Sequence, residues 1–296
     1  DTSIEKILDL VQGQDFLAYR WNPDLGEYVT VNSIQPGEST WIVTDADLGF
    51  VDLIGATANA ADAASGGRLT TLRPGWNMIG NPYPYPVQIS HLVGFAEDNP
   101  ADALSWTELT DSQLVSPSLA FWSTDGTYSF TEGAGDLLLP NRGYWIYVSS
   151  FQPIRISWPA AFIEGLSAST RNRTGFQSND KQWRLNLTAR TDDGLDAANY
   201  VGVTTTGKLA DSLRIYEPPR NPKGSIQMSI AGVEDGKATR MAQSFVSNSR
   251  RNEWTVQVKA EKAGDVTVAW PNIGQVPRNV RFQIVDGTAN VSKDLR

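Results

Sequence analysis

The 296-residue chain has no cysteine, one histidine and three methionines. Without cysteine there are no disulfides, thiolate metal sites or thiol nucleophiles, while the compartment stays open because many secreted bacterial proteins also dispense with the residue. A zinc site built on His and Cys ligands is excluded by count. The only imidazole available to a Ser–His–Asp arrangement is His91 in "QISHLVG". With no G-x-S-x-G elbow in the chain, a surface or packing role is the stronger reading for it. No window approaches the roughly 18 to 20 consecutive apolar residues that span a bilayer, and the start lacks the basic and apolar regions of a signal peptide. Phosphate-binding glycine loops are missing too. The basic residues of the C-terminal half, Arg250 and Arg251 among them, are scattered between strands, which speaks against a nucleic-acid partner.

What the chain does have is aromatics, ten of them tryptophan, within an otherwise ordinary globular composition. Its net charge of −8 is divided unevenly. Residues 1–165 hold 20 acidic and 6 basic side chains, net −14, and residues 166–296 hold 13 and 19, net +6. An acidic front and a basic back can attract each other within a molecule, or between molecules placed head to tail.

Alternating apolar and polar residues mark strands in "EYVTVNSI", "STWIVT", "TYSFTE", "YWIYVSS", "PIRISW", "WRLNLTAR", "SIQMSI", "WTVQVKA", "DVTVAW" and "RFQIV". Only "SIEKILDLV" and "ISHLVGFA" carry helical spacing, so the expected fold is all-β with minor helix. Small-residue and polar stretches at Gly55–Arg68 and Glu164–Asp180 read as connectors. The expected organisation is a duplicated hairpin-rich domain over 1–162, a linker over 163–179 and a β-sandwich over 180–296.

The duplication lies within the first domain, in units of about 1–56 and 69–162. Trp21 matches Trp122, Tyr28 matches Tyr128, Pro36 matches Pro140 and Trp41 matches Trp145, offsets of 100 to 104 residues. Each copy runs as an aromatic strand, a D-x-G or D-G turn, a strand with Tyr, a Pro-containing turn and a second aromatic strand. "TSIEKILDL" in the first unit stands where "VQISHLVGF" stands in the second. "LRPGWNMIGNPYPYP" opens the second unit and nothing precedes the first, so the chain is expected to begin inside a repeat.

"PGWNMIGNPYPYPV", followed by "LLLPNRGYWIYV", resembles a repeat of large secreted and cell-surface bacterial proteins in which G-W-N-L-I-G-N-P opens a unit and P-G-x-G-Y-W closes it. "WRLNLTARTDDGLDAANYVGV", "LADSLRIYEPPRNP", "WTVQVKA", "VTVAWPNIGQVP" and "FQIVDGTANVSKDLR" are similar to the β-sandwich that often follows such repeats. There a further strand comes next, whereas this chain stops at Arg296. The resemblance carries no catalytic residues. It implies an extracellular or surface location and a non-catalytic role.

Sugar rings stack on flat aromatic faces, which makes Trp21, Trp76, Tyr83, Tyr85, Trp106 and Trp122 the candidate ligand platform, with Tyr83 and Tyr85 the rings expected to face outward. Trp41, Trp145, Trp158, Trp183, Trp254 and Trp270 lie in alternating strands and are expected to fill cores. Asp192, Asp193 and Asp196 around Gly194 are weak Ca²⁺ candidates. They depart from the D-x-[DN]-x-[DN]-G loop, so a hairpin turn is the better reading and no cofactor is expected. Asn172, Asn186 and Asn290 fit the glycosylation sequon, as chance matches would in a chain rich in Ser and Thr. The expected function is a structural or adhesive module that meets copies of itself or adjacent modules head to tail, in a fibre or array. The alternative is a carbohydrate-binding module of a secreted polysaccharide-degrading protein. An enzyme using two carboxylates is the third reading, and no pair of acids stands out for it.

Overall fold

A computed structural model describes residues 3–46, 67–96, 99–159, 179, 181–234, 236–287, 289 and 291–295. The 163–179 linker, most of the Gly55–Arg68 connector, Asn172 and Asn290 lie outside the described residues, apart from Asn179 and the last two residues of the connector. The chain is all-β with minor helix, and each of the ten segments marked by alternation contains a strand. It divides into two compact units, Asp1–Arg171 with Ile215–Ser225, and Asn172–Arg214 with Ile226–Arg296. Residues 215–225, assigned from sequence to the C-terminal domain, thus group with the first unit.

The first unit opens with a short helix α1 (Ile4–Leu8), then strands β1 (Phe16–Asn22), β2 (Glu27–Thr30) and β3 (Trp41–Thr44) in the order β2-β1-β3. The β1–β2 turn is built locally. Asn22 Oδ1 accepts the N–H groups of Asp24 and Leu25 at 3.0 and 3.2 Å, and Gly26 takes a φ of 67°. The chain continues through β4 (Arg68–Leu72), β5 (Gly75–Gly80), β6 (Val87–Gln88), β7 (Val93–Ala96), β8 (Asn99–Ser105), helix α2 (Trp106–Asp111), β9 (Ala120–Trp122), β10 (Tyr128–Phe130), β11 (Leu137–Leu138), β12 (Gly143–Val148) and β13 (Ile154–Trp158). These form the sheets β10-β9-β12-β5, β11-β6 and β4-β13-β7-β8.

The two hairpins share one register. Trp21 pairs with Tyr28 as Trp122 pairs with Tyr128, and Tyr19 pairs with Trp41 as Ala120 pairs with Trp145. The Ile4 N–H donates to Asn32 O at 3.0 Å, and the Ile89 N–H to Asp136 O at 2.9 Å. Both isoleucines are buried, although the second sits in a single 3₁₀ turn, Ile89–His91, where helical spacing had suggested a short helix. After Leu92 the rest of that segment is strand β7.

The "GWNMIGNP" stretch holds its place through backbone contacts. Asn77 is buried; its side chain donates to Arg73 O and Gly75 O and accepts the Arg73 N–H, closing a turn in which Gly75 takes a φ of 87°. Asn81 donates to Tyr85 O and Leu138 O at 2.7 and 2.8 Å and accepts the Tyr83 N–H, folding the proline-rich loop back on the core. Leu72, Ile79, Leu92, Trp106, Leu138 and Trp158 are among the side chains of that core.

The second unit contains β14 (Trp183–Thr191), β15 (Gly194–Thr204), helix α3 (Gly207–Ser212), β17 (Ile226–Glu234), β18 (Lys237–Ser247), β19 (Val256–Ala260) and β20 (Thr267–Ala269); the short strand β16 (Ile215–Tyr216) belongs to the first. Its strands run in the order β19-β17-β18-β15-β14-β20, with β15 and β18 parallel and the other neighbours antiparallel. Trp183, Leu185, Leu187 and Ala189 alternate along β14 and are buried, as period two requires. Trp254 and Phe282 meet the Trp183 ring edge-on. A separate hairpin, β21 (Gln283–Asp286) and β22 (Val291–Asp294), is exposed along both strands.

Candidate functional site

The matched aromatics of the two hairpins converge. Because Trp and Tyr are directly opposed in each hairpin, their rings meet edge-to-face, Trp21–Tyr28 at 5.1 Å and 78° and Trp122–Tyr128 at 5.0 Å and 87°. Each hairpin also reaches the other's second aromatic strand. Trp21 meets Trp145 at 5.6 Å and 78°, and Trp41 meets Trp122 at 5.4 Å and 76°. With Trp21 matching Trp122 and Trp41 matching Trp145, these are one contact with the partners exchanged. The result is an aromatic box of two matched tryptophan pairs, each flanked by a tyrosine.

The two tyrosine hydroxyls point at one stretch of chain. Tyr28 donates to Arg220 O and Tyr128 to Pro219 O, both at 2.7 Å. Glu217, Pro218 and Pro219 are buried there, and Tyr216 stacks on Tyr147 with centroids 4.0 Å apart. Burial pushes the Tyr28 hydroxyl above its ordinary pKa of 10. Tyr128 is pushed well above it, by burial first and then by Tyr28 itself, with Glu217 adding to the rise. Both phenols therefore stay neutral and able to donate. Neutral donors and apolar ring faces suit an extended peptide backbone.

The six candidate rings divide. Trp21 and Trp122 belong to the box, and Trp76 is half-buried beside it, edge-on to Trp145 at 87°. Tyr83 does not face outward: it is 5% exposed, donates to Trp158 O and accepts the Arg68 N–H. Tyr85 is half-buried and stacks on it at 2°. Trp106 is core, 2% exposed, turned inward with Leu109 by a capping box in which Ser105 and Glu108 bond each other's N–H groups. Of the six presumed core tryptophans, Trp145, Trp158 and Trp183 are buried, and Trp41, Trp254 and Trp270 are half-buried.

The acidic candidates also separate. Asp193 pairs with Lys262 at 2.7 Å and accepts the Thr191 hydroxyl. Asp196 accepts the Met228 N–H and the Asn199 amide, both at 2.7 Å, and burial holds its carboxyl above the usual value. Asp192 is exposed. Among the described residues no three His, Cys, Asp or Glu side chains group to hold a metal, and no helix is long and apolar enough to cross a membrane. Asn186 turns its amide into the hairpin, donating to Ala197 O and Asn199 O, and so is engaged as a structural residue.

Sequence reading missed Pro218, Pro219 and the pairing of Tyr28 with Tyr128 as one site. The signal was there in two places, the matched tyrosines of the two aromatic hairpins and the diproline of "YEPPR". Nothing local connects them. Comparison of the chain with protein-family models, with curated proteins and with solved structures returns no match.

Proposed function

We propose that the chain is a non-catalytic structural or adhesive module of an extracellular or cell-surface protein, acting by association with copies of itself or with adjacent modules. One observation carries this reading. The aromatic rings that would offer a sugar platform are engaged in internal contacts: Trp21, Trp76 and Trp122 cross other rings steeply, Tyr83 and Trp106 are buried, and Tyr85 stacks on Tyr83. The resemblance of "GWNMIGNP" and "RGYW" to repeats of secreted bacterial proteins points the same way, and the division of charge supplies a force for head-to-tail contact.

Static light scattering across a salt series tests the reading. The expected result is a mass that rises with concentration at low salt and falls as salt screens the charges. A monomer at high concentration, unaffected by salt, overturns it. Retardation in glycan-loaded gels, abolished by Trp76→Ala and Trp122→Ala, would establish the carbohydrate-binding reading instead.

A further inference from the structure

The segment held by the two hairpins has a chemistry of its own. In "EPPRNP", Glu217, Pro218 and Asn221 each precede a proline, which keeps them out of helical conformation, and each proline fixes its own φ. Residues 217–220 form neither helix nor strand. An extended chain of this kind has no internal hydrogen bonds, so carbonyls carried out of water need donors from elsewhere. Tyr28 and Tyr128 supply them to adjacent residues. Aromatic-lined grooves with donors aimed at carbonyls are a general solution for binding proline-rich peptides. Here the donors come from two matching hairpins, so equivalent hydroxyls meet successive carbonyls of the segment.

We propose that the paired hairpins form a binding site for extended diproline peptides, filled in cis by Glu217–Arg220 and able to take the same segment from a second copy. The seated segment identifies the ligand class, and every copy carries it. Residues on both sides of Ile215–Ser225 group with the second unit, so the ligand is an internal segment tethered at both ends, and its passage to a second copy would be an exchange of one identical element between chains. The site rests on the reading of the chain as an associating module and names one partner for it.

The test uses the full chain with Glu217→Gly, Pro218→Ser, Pro219→Gly and Arg220→Ser combined, titrated with a free peptide spanning residues 215–225 and followed by tryptophan fluorescence. The altered chain is expected to bind the peptide saturably. The unaltered chain should bind it about tenfold or more weakly, because the tethered segment competes at an effective concentration of about a millimolar. A peptide with both prolines changed to serine should lose binding, as should the altered chain when it also carries Tyr28→Phe and Tyr128→Phe. A folded altered chain whose fluorescence ignores the peptide, or which binds the serine peptide equally well, overturns the site. Should the altered chain be unfolded, the peptide must restore its melting transition, and failure to do so overturns the site as well. Salt-dependent scattering by the unaltered chain does not depend on this result, so the site and the broader reading can fail separately.

Discussion

Tyr28 and Tyr128 each do two jobs with one side chain. Their rings brace a tryptophan across the hairpin, and their hydroxyls satisfy carbonyls of a proline-rich segment. Phenylalanine keeps the first job and removes the second, leaving the Arg220 or Pro219 carbonyl without that donor. Tyr28→Phe and Tyr128→Phe should therefore each lower stability by about 1–3 kcal/mol in denaturant unfolding. The double variant should lose less than the sum, since both hydroxyls hold one segment. Alkaline pH supplies an independent check. Both hydroxyls titrate above 10 in the folded state, so the folded chain keeps its protons where the unfolded chain releases them. Their contribution is complete below pH 10 and is lost as pH rises through the raised folded values. Unfolding midpoints measured between pH 8 and 12 should fall steeply above pH 10 in the unaltered chain and less steeply in the double variant. Equal slopes would mean that these phenols are not the groups held neutral.

At the scale of elements, strand β5 closely approaches the turn at Gly37–Ser39 of the first hairpin set. The Gly80 N–H donates to Gly37 O at 3.1 Å, and a Cβ on Gly80 would stand 2.7 Å from the Glu38 carbonyl oxygen. Backbone cannot rotate out of the way, so Gly80→Ala should destabilise by about 1–3 kcal/mol through overpacking. Gly143→Ala meets the Ser39 side chain first, whose hydroxyl can turn, and should be milder. Denaturant midpoints of the two variants that came out in the reverse order would refute this ranking. The strand pairings themselves were legible in the sequence, because alternation and turn chemistry are local. Trp21 opposite Tyr28 and Trp122 opposite Tyr128 keep one pairing although their connecting turns differ in length by a residue, because each turn closes on its own Asp and Gly. The inward turn of Trp106 was legible too, had "SWTE" been read as a capping box. Tyr83 was not, because its burial depends on Asn81 reaching Leu138, 57 residues away. The contact of Tyr28 and Tyr128 with the diproline segment was least accessible of all. Tyr28 and Arg220 are 192 residues apart, and nothing near "EPPR" in sequence marks it as the ligand of an aromatic box.

Across the whole molecule, the uneven charge survives the division of the chain by contacts rather than by sequence position. The first unit, Asp1–Arg171 with Ile215–Ser225, holds 21 acidic and 9 basic residues, net −12; the second holds 12 and 16, net +4. These sum to the −8 of the chain. A uniformly acidic protein would repel its copies at every approach, whereas units of opposite sign let one copy's second unit meet another's first with attraction. Such attraction between exposed charges fades beyond about 10 Å at 0.1 M salt, so it governs encounter more than folding. Arg250 and Arg251 are exposed in the second unit, and changing both to glutamate would bring that unit from +4 to 0. Arg250→Glu with Arg251→Glu should therefore weaken self-association several-fold at low salt and flatten its salt dependence. The melting temperature should change little, since substitutions at such exposed positions usually shift stability by no more than about 0.5 kcal/mol. Scattering and melting run on the same samples decide the matter. Undiminished association at low salt would show that the force between copies lies elsewhere than in the charge of the second unit.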